Sequence, residues 1–600
     1  MFTRSSDTNA GYRLSARSFS LAALLMMIAG AVIIGLAVFV AYIPSMNGGF
    51  VLDDDNLMTQ NPLVKSFDGL YKFWCSHEAQ EFYPVSNSTF WLEWHLWFLN
   101  PAGYHVTNLI LHIVDALLIW VILRRLSVPG ALFAAIVFAV HPVNVESVAW
   151  IAQVRNMLAM TFFLLSILCY LEVMQRTADD GRWAEGVGRW YWFSLAAFVL
   201  AMLGKGSAAV LPGILLGLVW WLRRLTWRDV AMMVPYIAIA GVLTVVCVWF
   251  QTRGDDIVFR EASFAERLAG AGCVPWFYLY EAMFPVDLYF VYPMWQIRPD
   301  SVLWWAPLAA ASAVTATLWF YREGWGRPLL FAWGFFCVAL LPVVGFADVG
   351  FMRYSLVADH YQHMAIIGVI ALAAAGVGTW RVRSPGRMSW LPPGVAIAAA
   401  GCLALMTWRQ NGIYADEVTL YRAALKKNPD CCMVHNNLGF LLATPATSEK
   451  DVDEAIYHFR EAVKLNPKYA EAHKNLGTML LNANQAKEAE DHLREAVKLK
   501  PNYPDAQRNL GDLMFKTGQF QEASEHYEEA LRLQPDFVEA CSNLAPVYAN
   551  LQRPYEAINA AEKALEMARS QGRIGMARKL EEWLKSYRAG LSGQGSKGPQ

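Results

Sequence analysis

The chain contains about eleven apolar runs that are long enough to cross a lipid bilayer. A run of about 20 apolar residues spans the hydrocarbon layer as a helix, because a helix bonds its own backbone polar groups. Only 17% of the 600 residues are charged, against about 25% in soluble domains. We therefore predict an all-α fold in which residues 21–410 form a polytopic membrane domain. The runs lie at about 21–43, 105–123, 129–148, 156–173, 190–204, 207–222, 230–250, 302–320, 329–347, 361–380 and 390–408.

Two stretches of this domain depart from a simple series of spans. The runs 190–204 and 207–222 are short, and only Lys205-Gly206 separates them. Residues 269–293 are apolar but carry two acidic residues and the prolines Pro275, Pro285 and Pro293. Proline removes a backbone donor and charge disfavours lipid, so this stretch is predicted to be a re-entrant or interfacial element.

Arginine residues indicate which side of the membrane each connection faces. Three arginines precede the first run, so residues 1–20 are predicted to stay in the cytoplasm. Counting spans from there places arginine in every short connection on the cytoplasmic side, as the positive-inside rule requires. The loop 44–104, the connection 348–359 and the C-terminal domain are then expected on the outer face.

Charge and cysteine content argue against nucleic-acid binding, a disulfide framework and a cysteine metal site. The net charge is −1 and the pI is about 6.9, so no nucleic-acid partner is indicated. Five of the nine cysteines lie in apolar stretches, where cysteine acts as a small hydrophobic residue. We expect neither a disulfide framework nor a CxxC metal site.

A period of 34 residues governs the C-terminal part. Leu476-Gly477 recurs as Leu510-Gly511, and Pro467 recurs as Pro501. This spacing is typical of tetratricopeptide repeats, which stack helical hairpins into a solenoid with a concave binding groove. We predict a repeat domain over 416–572, followed at 573–600 by a C-terminal helix and a tail that is disordered from Ser592. The predicted units are 432–469, 470–503, 504–537 and 538–571.

The groove of this solenoid has two interpretations. The repeats either cap the membrane domain without binding anything or bind a protein or peptide, and their extended surface favours binding.

The triplet Asp53-Asp54-Asp55 directly follows the first span. Three adjacent carboxylates are commonly a solvated loop start or a helix cap. At the membrane boundary, however, desolvation and mutual repulsion would raise a carboxyl pKa toward that of a general base. The same oxygens also suit a divalent cation, so the metal and cofactor requirement stays open.

Further ionisable residues are predicted on the same outer face. Singly each has a structural interpretation, since His141 could cap a helix, Lys205 could extend toward the interface, and Arg353 could meet lipid headgroups. Their convergence instead offers carboxylates for a base or metal and cations for an anionic lipid headgroup. The candidates are His141, Glu146, Arg155, Lys205, Arg353, Asp359 and His360.

Five segments carry a resemblance to membrane glycosyltransferases of the GT-C class that contain tetratricopeptide repeats, including the transmembrane O-mannosyltransferases. The resemblance covers nearly the whole chain and is closest to the bacterial type. The matching segments are FVLDDDNLMTQNPLV (50–64), YPVSNSTFWLEWHLWFLNPAGYHVTNLILH (83–112), HPVNVESVAWIAQVRN (141–156), LGKGSAAVLP (203–212) and LVADHYQHMAIIG (356–368).

The resemblance implies an inverting enzyme that moves a sugar from a polyprenyl-phosphate donor to a Ser or Thr hydroxyl. The acceptor would be a protein or peptide held by the repeats, at the outer face of a bacterial inner membrane. Asp53 or Asp54 takes the role of catalytic base. Asp55, Glu146 and Asp359 are supporting acidic residues, Arg155, Lys205 and Arg353 bind the donor phosphate, and His141 and His360 are further candidates.

Four positions depart from the pattern of this class. Tyr83 stands where relatives often have Arg, Asn144 replaces a common His, Asn156 a common Asp, and His360 a common Arg. These departures imply either a subgroup with a different donor or a weakened enzyme. Two alternative functions also stay open. One is glycosyl transfer to a glycan or lipid, and the other is a non-enzymatic membrane scaffold built on the repeats.

Overall fold

The computed structural model describes residues 21–79, 81–177, 187–252, 261–444 and 448–594. These residues form helices and connecting segments without a β-strand, which confirms the all-α prediction. The chain divides into two compact units, the first ending at Asn428 and the second starting at Pro429. The predicted cytoplasmic segment 1–20 lies outside the described residues.

The first unit is a bundle of long apolar helices joined by short ones. Its α-helices are α1 (Leu21–Tyr42), α2 (Pro62–Lys65), α3 (Gly69–Cys75), α4 (Pro84–Trp97), α5 (Pro101–Arg125), α6 (Ala131–Ala139), α7 (Val145–Ala149), α8 (Val154–Arg176), α9 (Val187–Gly204), α10 (Leu211–Leu222), α11 (Trp227–Gln251), α12 (Phe264–Met283), α13 (Ala306–Phe320), α14 (Gly326–Leu340), α15 (Ile366–Arg383), α16 (Leu391–Asn411) and α17 (Glu417–Lys427).

Nine helical segments of the described residues are long and apolar enough to span a membrane, or ten if one bent pair counts as a span. Each coincides with one of the predicted runs, so the multi-pass membrane domain is confirmed. The predicted number of about eleven is too high by this measure. The difference comes from run 207–222, whose helical segment Gly206–Leu222 is shorter than a span, and, in the count of nine, also from the bent run 129–148.

Close backbone approach holds the first span in the bundle. A Cβ at Gly30 would lie only 2.3 Å from the ring of Trp120, so α1 meets α5 where side-chain volume is absent. Small residues at such crossings let transmembrane helices pack closely without any hydrophobic driving force between them.

The run 129–148 is bent rather than straight. Helix α6 ends at Ala139, and the next helical segment begins at Pro142 after a bend of 49°. Proline disfavours a helical conformation at the preceding residue, and the His141 ring instead accepts a 3.4 Å hydrogen bond from the Val143 N–H. The short helix α7 that follows is buried over its whole length, which carries Glu146 into the interior.

The segment predicted to be re-entrant contains a continuous helix. Helix α12 begins with a reciprocal cap between Ser263 and Glu266 and includes Pro275. A Cβ at Gly272 would lie 2.6 Å from the Leu308 side chain, so close packing against α13 stabilises the helix despite its proline. Only Pro285 and Pro293 lie in irregular chain, and α12 is not among the spanning helices.

The second unit is a series of helical hairpins with one continuous core. Gly477 packs against Leu493 and Gly511 against Tyr527, which explains the small residue at the crossing of each hairpin. Helix α26 continues through Gln594, and the remainder of the tail that is predicted to be disordered lies outside the described residues. The α-helices are α18 (Cys432–Ala443), α19 (Glu449–Leu465), α20 (Ala470–Asn482), α21 (Ala486–Leu499), α22 (Pro504–Lys516), α23 (Phe520–Leu533), α24 (Val538–Asn550), α25 (Pro554–Ser570) and α26 (Ile574–Gln594).

Candidate functional site

The fold gives the three adjacent aspartates different environments, beginning with Asp54. Its side chain is completely buried. One carboxylate oxygen accepts the Val51 N–H at 2.8 Å and the other accepts the Ala152 N–H at 2.7 Å. Burial raises the pKa of this carboxyl well above its ordinary value, although the two donors oppose that shift. One oxygen therefore stabilises the loop after α1, and the other joins this loop to the turn before α8.

Asp53 is exposed instead. Its side chain keeps solvent contact, yet protein atoms surround it closely enough that desolvation raises the pKa of its carboxyl. Both observations indicate that the Asp53 carboxylate lies in the wall of an open crevice, the Asp53 crevice. Arg155, Arg353 and His360 lower that pKa, whereas Glu81 raises it. The carboxylate of Asp53 thus lies within electrostatic range of three potential cations.

Asp55 begins the single π-helical turn Asp55–Thr59. Its carboxylate accepts a hydrogen bond from the Thr59 hydroxyl one turn later. The side chain is therefore occupied by a local contact, unlike that of Asp53.

Arg155 is held in the crevice by an acidic and an aromatic contact. It forms an ion pair with Glu81, and its guanidinium lies 5.9 Å from the Tyr83 ring centroid and 5.5 Å from that of Phe90. Its Nε and Nη2 atoms are buried without a hydrogen-bond partner among the described residues. A buried guanidinium with free donors is suited to an anion, because leaving such donors unpaired is costly.

Lys205 lies between α9 and the next helical segment and reaches the same region. Its Nζ donates a 2.6 Å hydrogen bond to Oδ1 of Asn156, and the Asn156 amide donates in turn to Gln153 at 2.8 Å. Burial and the nearby charge of Arg155 lower the pKa of Lys205 to about 8, against the opposing effect of Glu81 and Glu146. The Lys205 ammonium therefore lies in a desolvated environment, where its charged form is less favoured than in water.

Glu146 and His360 form a buried pair. The His360 backbone N–H donates to Glu146 at 2.8 Å, and the His360 Nδ1 atom lies 3.0 Å from the other carboxylate oxygen. This carboxylate therefore fixes the chain at the end of the connection 348–359, close to Asp53. Arg353, in the same connection, is exposed and its guanidinium stacks 4.5 Å from the Tyr354 ring centroid.

Two of the predicted site residues, Asp359 and His141, form their contacts away from Asp53. Asp359 is buried and accepts a 2.7 Å hydrogen bond from the Tyr292 hydroxyl. His141 is buried, and its Nε2 atom lies 3.1 Å from the Ala282 carbonyl oxygen. Both hold α12 and the chain after it against neighbouring helices, and neither has a contact with the Asp53 crevice among the described ones.

The structure thus brings Asp53, Arg155, Lys205, Glu146 and His360 together, with Arg353 at the edge. Sequence reasoning missed Glu81 and Tyr292. Glu81 stands just ahead of the Tyr83-Pro84 segment, so that proximity was a usable signal. Tyr292 had no such signal, because it lies in irregular chain.

A divalent cation at the acidic residues is a further possibility that the sequence leaves open. Within the described ranges no group of three or more His, Cys, Asp or Glu side chains is placed to hold a metal ion. Metal dependence therefore stays a prediction to be tested in solution.

Comparisons with known proteins bear on each unit separately. One family model described as "Tetratricopeptide repeat" matches residues 446–513 and 480–527, a second model of the same description matches 538–571, and a model described as "TPR repeat" matches 511–552. The C-terminal unit is therefore a tetratricopeptide repeat domain. Among solved structures, the crystal structure of MamA protein matches with 26% identity, a TM-score of 0.23, and coverage of 26% of this chain and 83% of that one.

Curated relatives cover the longer part of the chain. "Protein O-mannosyl-transferase F38B6.6" of Caenorhabditis elegans is 26% identical over 436 residues, 68% of this chain and 59% of that protein. "Protein O-mannosyl-transferase TMTC4" of Homo sapiens is 26% identical over 484 residues, 68% of this chain and 63% of that protein. The chain spans about three fifths of the length of these relatives. They confirm the resemblance to tetratricopeptide-containing O-mannosyltransferases.

Proposed function

We propose that this protein is a membrane glycosyltransferase that moves a sugar, mannose by analogy with the names of its relatives, to a Ser or Thr hydroxyl of a protein. The donor is a polyprenyl-phosphate sugar, and transfer takes place on the extracytoplasmic face. The observation that carries this proposal is the crevice around Asp53. There one solvent-accessible carboxylate lies among Arg155, Arg353 and His360.

Asp53 is the general base of the proposed reaction. It accepts the proton of the acceptor hydroxyl while the hydroxyl oxygen forms a bond to the anomeric carbon. The bond from that carbon to the phosphate oxygen breaks, and its electron pair leaves with the polyprenyl phosphate. One direct displacement of this kind inverts the anomeric configuration.

Arg155, Arg353 and Lys205 would hold the donor phosphate and stabilise the charge that develops as it leaves. Free donor atoms on Arg155 support this role. Asp54 acts differently from the base: its two backbone hydrogen bonds position the loop that presents Asp53.

The repeat unit is proposed to bind the acceptor polypeptide. Tetratricopeptide solenoids expose extended concave surfaces, and the relatives named as protein O-mannosyltransferases support a protein acceptor. The arrangement of arginines supports an extracytoplasmic repeat domain and a cytoplasmic N-terminus. By the same resemblance we propose a bacterial inner membrane as its location.

The experiment uses the purified full chain with a panel of polyprenyl-phosphate sugars and candidate acceptor proteins, read by intact mass. Wild type should add the mass of one hexose, and Asp53→Asn should add none. Asp55→Asn is the matched control, since it removes a neighbouring charge with only a local contact, and it should retain transfer.

Three other results would contradict parts of the proposal. Transfer by Asp53→Asn would exclude that residue as the base. Sugar appearing on a glycan or lipid instead of a protein would favour the alternative acceptor class. A wild-type protein that moves no sugar from any donor would favour the scaffold.

A further inference from the structure

The chain that follows the last span runs beside the loop that carries Asp53. Three hydrogen bonds join the ends of α16 and α1 and then the segments that follow these two helices, in the same order along both. The Asn411 amide donates to the Ala41 carbonyl at 3.1 Å, and the Gly49 N–H donates to the Ala415 carbonyl at 3.0 Å. The third bond is the only one made by a charged side chain: the Leu52 N–H donates to Oε1 of Glu417 at 2.7 Å.

Leu52 is held in a conformation that its side chain disfavours. Its φ is 53°, in the left-handed region, where a branched apolar residue is an uncommon occupant. Such strain persists only when the surroundings enforce it. Because Asp53 is the next residue, the backbone angles at Leu52 set the direction in which the Asp53 carboxylate leaves the loop.

The position of Glu417 is costly unless its carboxylate has a structural role. The side chain is partly buried, and burial raises its pKa. The neighbouring charges that contribute to this shift are Asp55 and Asp416, both of which raise it further, while the Leu52 N–H lowers it. A desolvated carboxylate beside two others is unfavourable on its own. The Leu52 N–H is the contact that favours the charged form.

The other end of the same helix contacts the irregular chain that follows α12. At the end of α17, Lys427 donates to the Leu288 carbonyl at 2.8 Å. The Asn428 amide donates to the Val291 carbonyl at 3.0 Å. Val291 precedes Tyr292, whose hydroxyl donates to Asp359. Helix α17 is therefore bonded at one end to the Asp53 loop and at the other to the chain that meets Asp359.

We propose that Glu417 is a positioning residue that orients the Asp53 carboxylate through Leu52, with α17 as its rigid support. This inference rests on the proposed function, since it assigns the geometry of the same catalytic loop. Glu417 does not contact the reacting atoms itself. Its effect belongs to turnover rather than to substrate binding, because it fixes the angle of the base and not the phosphate contacts.

Two substitutions separate the hydrogen bond from the charge. Glu417→Gln retains a carbonyl oxygen for the Leu52 N–H, and we expect its kcat to stay within about twofold of wild type. Glu417→Ala leaves the N–H unpaired and Leu52 free to relax. A misplacement of about 1 Å can cost about 100-fold in rate, so we expect kcat to fall about 10- to 100-fold at unchanged donor KM.

Asp416→Ala provides the matched control. Asp416 caps α17 by accepting the Thr419 N–H and the Thr419 hydroxyl, each at 2.8 Å, and it makes no described bond to Leu52. We expect this variant to keep the wild-type kcat. A loss equal to that of Glu417→Ala would show that helix stability matters rather than the bond to Leu52, and would overturn the inference.

A second measurement is independent of sugar transfer. Carbodiimide labelling of Asp53, followed by peptide mass analysis across pH, reports the environment of its carboxylate in the full chain. Glu417→Ala should change the pH dependence of this labelling, whereas Glu417→Gln and Asp416→Ala should reproduce the wild-type curve. Identical curves for Glu417→Ala and wild type would overturn the inference.

The two readouts distinguish the possible failures. If wild type transfers no sugar, the proposed function fails, while the labelling curves still decide whether Glu417 orients Asp53. If wild type is active and Asp53→Asn is not, a wild-type kcat in Glu417→Ala contradicts the positioning role alone.

Discussion

At the scale of single residues, three identical neighbours acquire different properties from their contacts. Both carboxylate oxygens of Asp54 accept hydrogen bonds from backbone N–H groups, and the Asp55 carboxylate accepts one from the Thr59 hydroxyl. Asp53 keeps solvent contact in a crevice with nearby cations. Charge, size and chemistry are the same in all three, so the difference between their proposed roles comes from which oxygens remain free.

The pH dependence of transfer should report the Asp53 carboxylate. A general base acts in its charged form, so activity is expected to fall as pH decreases through its raised pKa. Arg353 lowers that pKa, and Arg353→Gln should therefore move the acidic limb of kcat/KM to higher pH. The limb position is measured from full pH profiles and does not depend on the plateau rate, which also falls if Arg353 binds phosphate. An unchanged limb would contradict the pairing.

Lys205 should set the alkaline limb of the same profile. Its pKa is lowered to about 8, chiefly by burial, so the ammonium that is proposed to meet the phosphate loses its proton above that pH. Asn156→Asp would place a carboxylate at the 2.6 Å contact with Nζ. An opposite charge favours the protonated form, so the alkaline limb should move to higher pH. A limb that moves downward or stays in place would exclude Lys205 as its origin.

At the scale of elements, the apolar runs predicted helices well because lipid leaves the backbone few alternatives. The bend at His141-Pro142 could have been predicted from the sequence, since proline restricts the backbone conformation of the residue before it. The continuity of helix α12 could not be predicted in this way, because its packing at Gly272 against α13 depends on a distant part of the chain. Local proline content therefore predicted an interruption that tertiary packing overcomes.

The site was predictable only in its residue types. Asp54 is fixed by the Ala152 N–H, 98 positions away, and Leu52 by Glu417, 365 positions away. No periodicity or motif encodes such pairs. Sequence therefore placed the acidic triplet next to a span but did not separate Asp53 from Asp54.

The repeat hairpins contain histidine pairs that should make them sensitive to acid. The Nδ1 atoms lie 2.9 Å apart in His435–His458 and 3.0 Å apart in His473–His492. Burial lowers the pKa of His435, His473 and His492. Two facing ring nitrogens share one proton favourably, whereas two protonated rings repel each other.

The sign of this effect follows from proton linkage. A histidine whose pKa is lower when folded takes up its proton more readily in the unfolded chain. Stability is therefore fully present above the unfolded pKa of about 6.5 and decreases as pH falls through the lower folded value. Hydrogen exchange of the full chain, corrected for intrinsic rates, should show lost protection in 432–503 between pH 7 and 5.

The chain supplies its own controls for this measurement. In the fourth hairpin the equivalent contact joins the Cys541 thiol to the Ala560 carbonyl, so residues 538–571 should keep their protection over the same range. In the third, Gln507 pairs with His526 at 2.9 Å. His473→Gln copies that arrangement and should reduce the acid sensitivity of the second hairpin. Equal loss in all hairpins would exclude the histidine pairs as the cause.

At the scale of the whole molecule, the boundary between the units has a functional consequence. The first compact unit ends at Asn428 and so includes α17, whose Glu417 bonds to Leu52. The predicted boundary near residue 416 would remove this helix together with the repeats. Any test of the repeats by deletion therefore depends on which side of α17 the chain is cut.

Two truncations make this consequence measurable. A chain that stops after Asn428 retains the Leu52–Glu417 bond, and we expect it to glycosylate a short Ser/Thr peptide with a kcat near that of the full chain. Its KM for a protein acceptor should rise, because the proposed acceptor groove is absent. A chain that stops after Tyr414 lacks Glu417 and should lose turnover on the peptide as well, by about 10- to 100-fold.

The kinetic constants of the two truncations decide between several interpretations. A KM for the protein acceptor that is the same in the longer truncation as in the full chain would contradict acceptor binding by the repeats. Equal peptide turnover in both truncations would remove α17 from the catalytic mechanism. Thermal unfolding of each truncation, followed by tryptophan fluorescence in the same detergent, controls for a membrane unit that no longer folds. Since α17 is bonded to the Asp53 loop and to the chain after α12 and is continuous in sequence with the repeats, cutting on either side of it separates the proposed acceptor binding from the proposed orientation of the base.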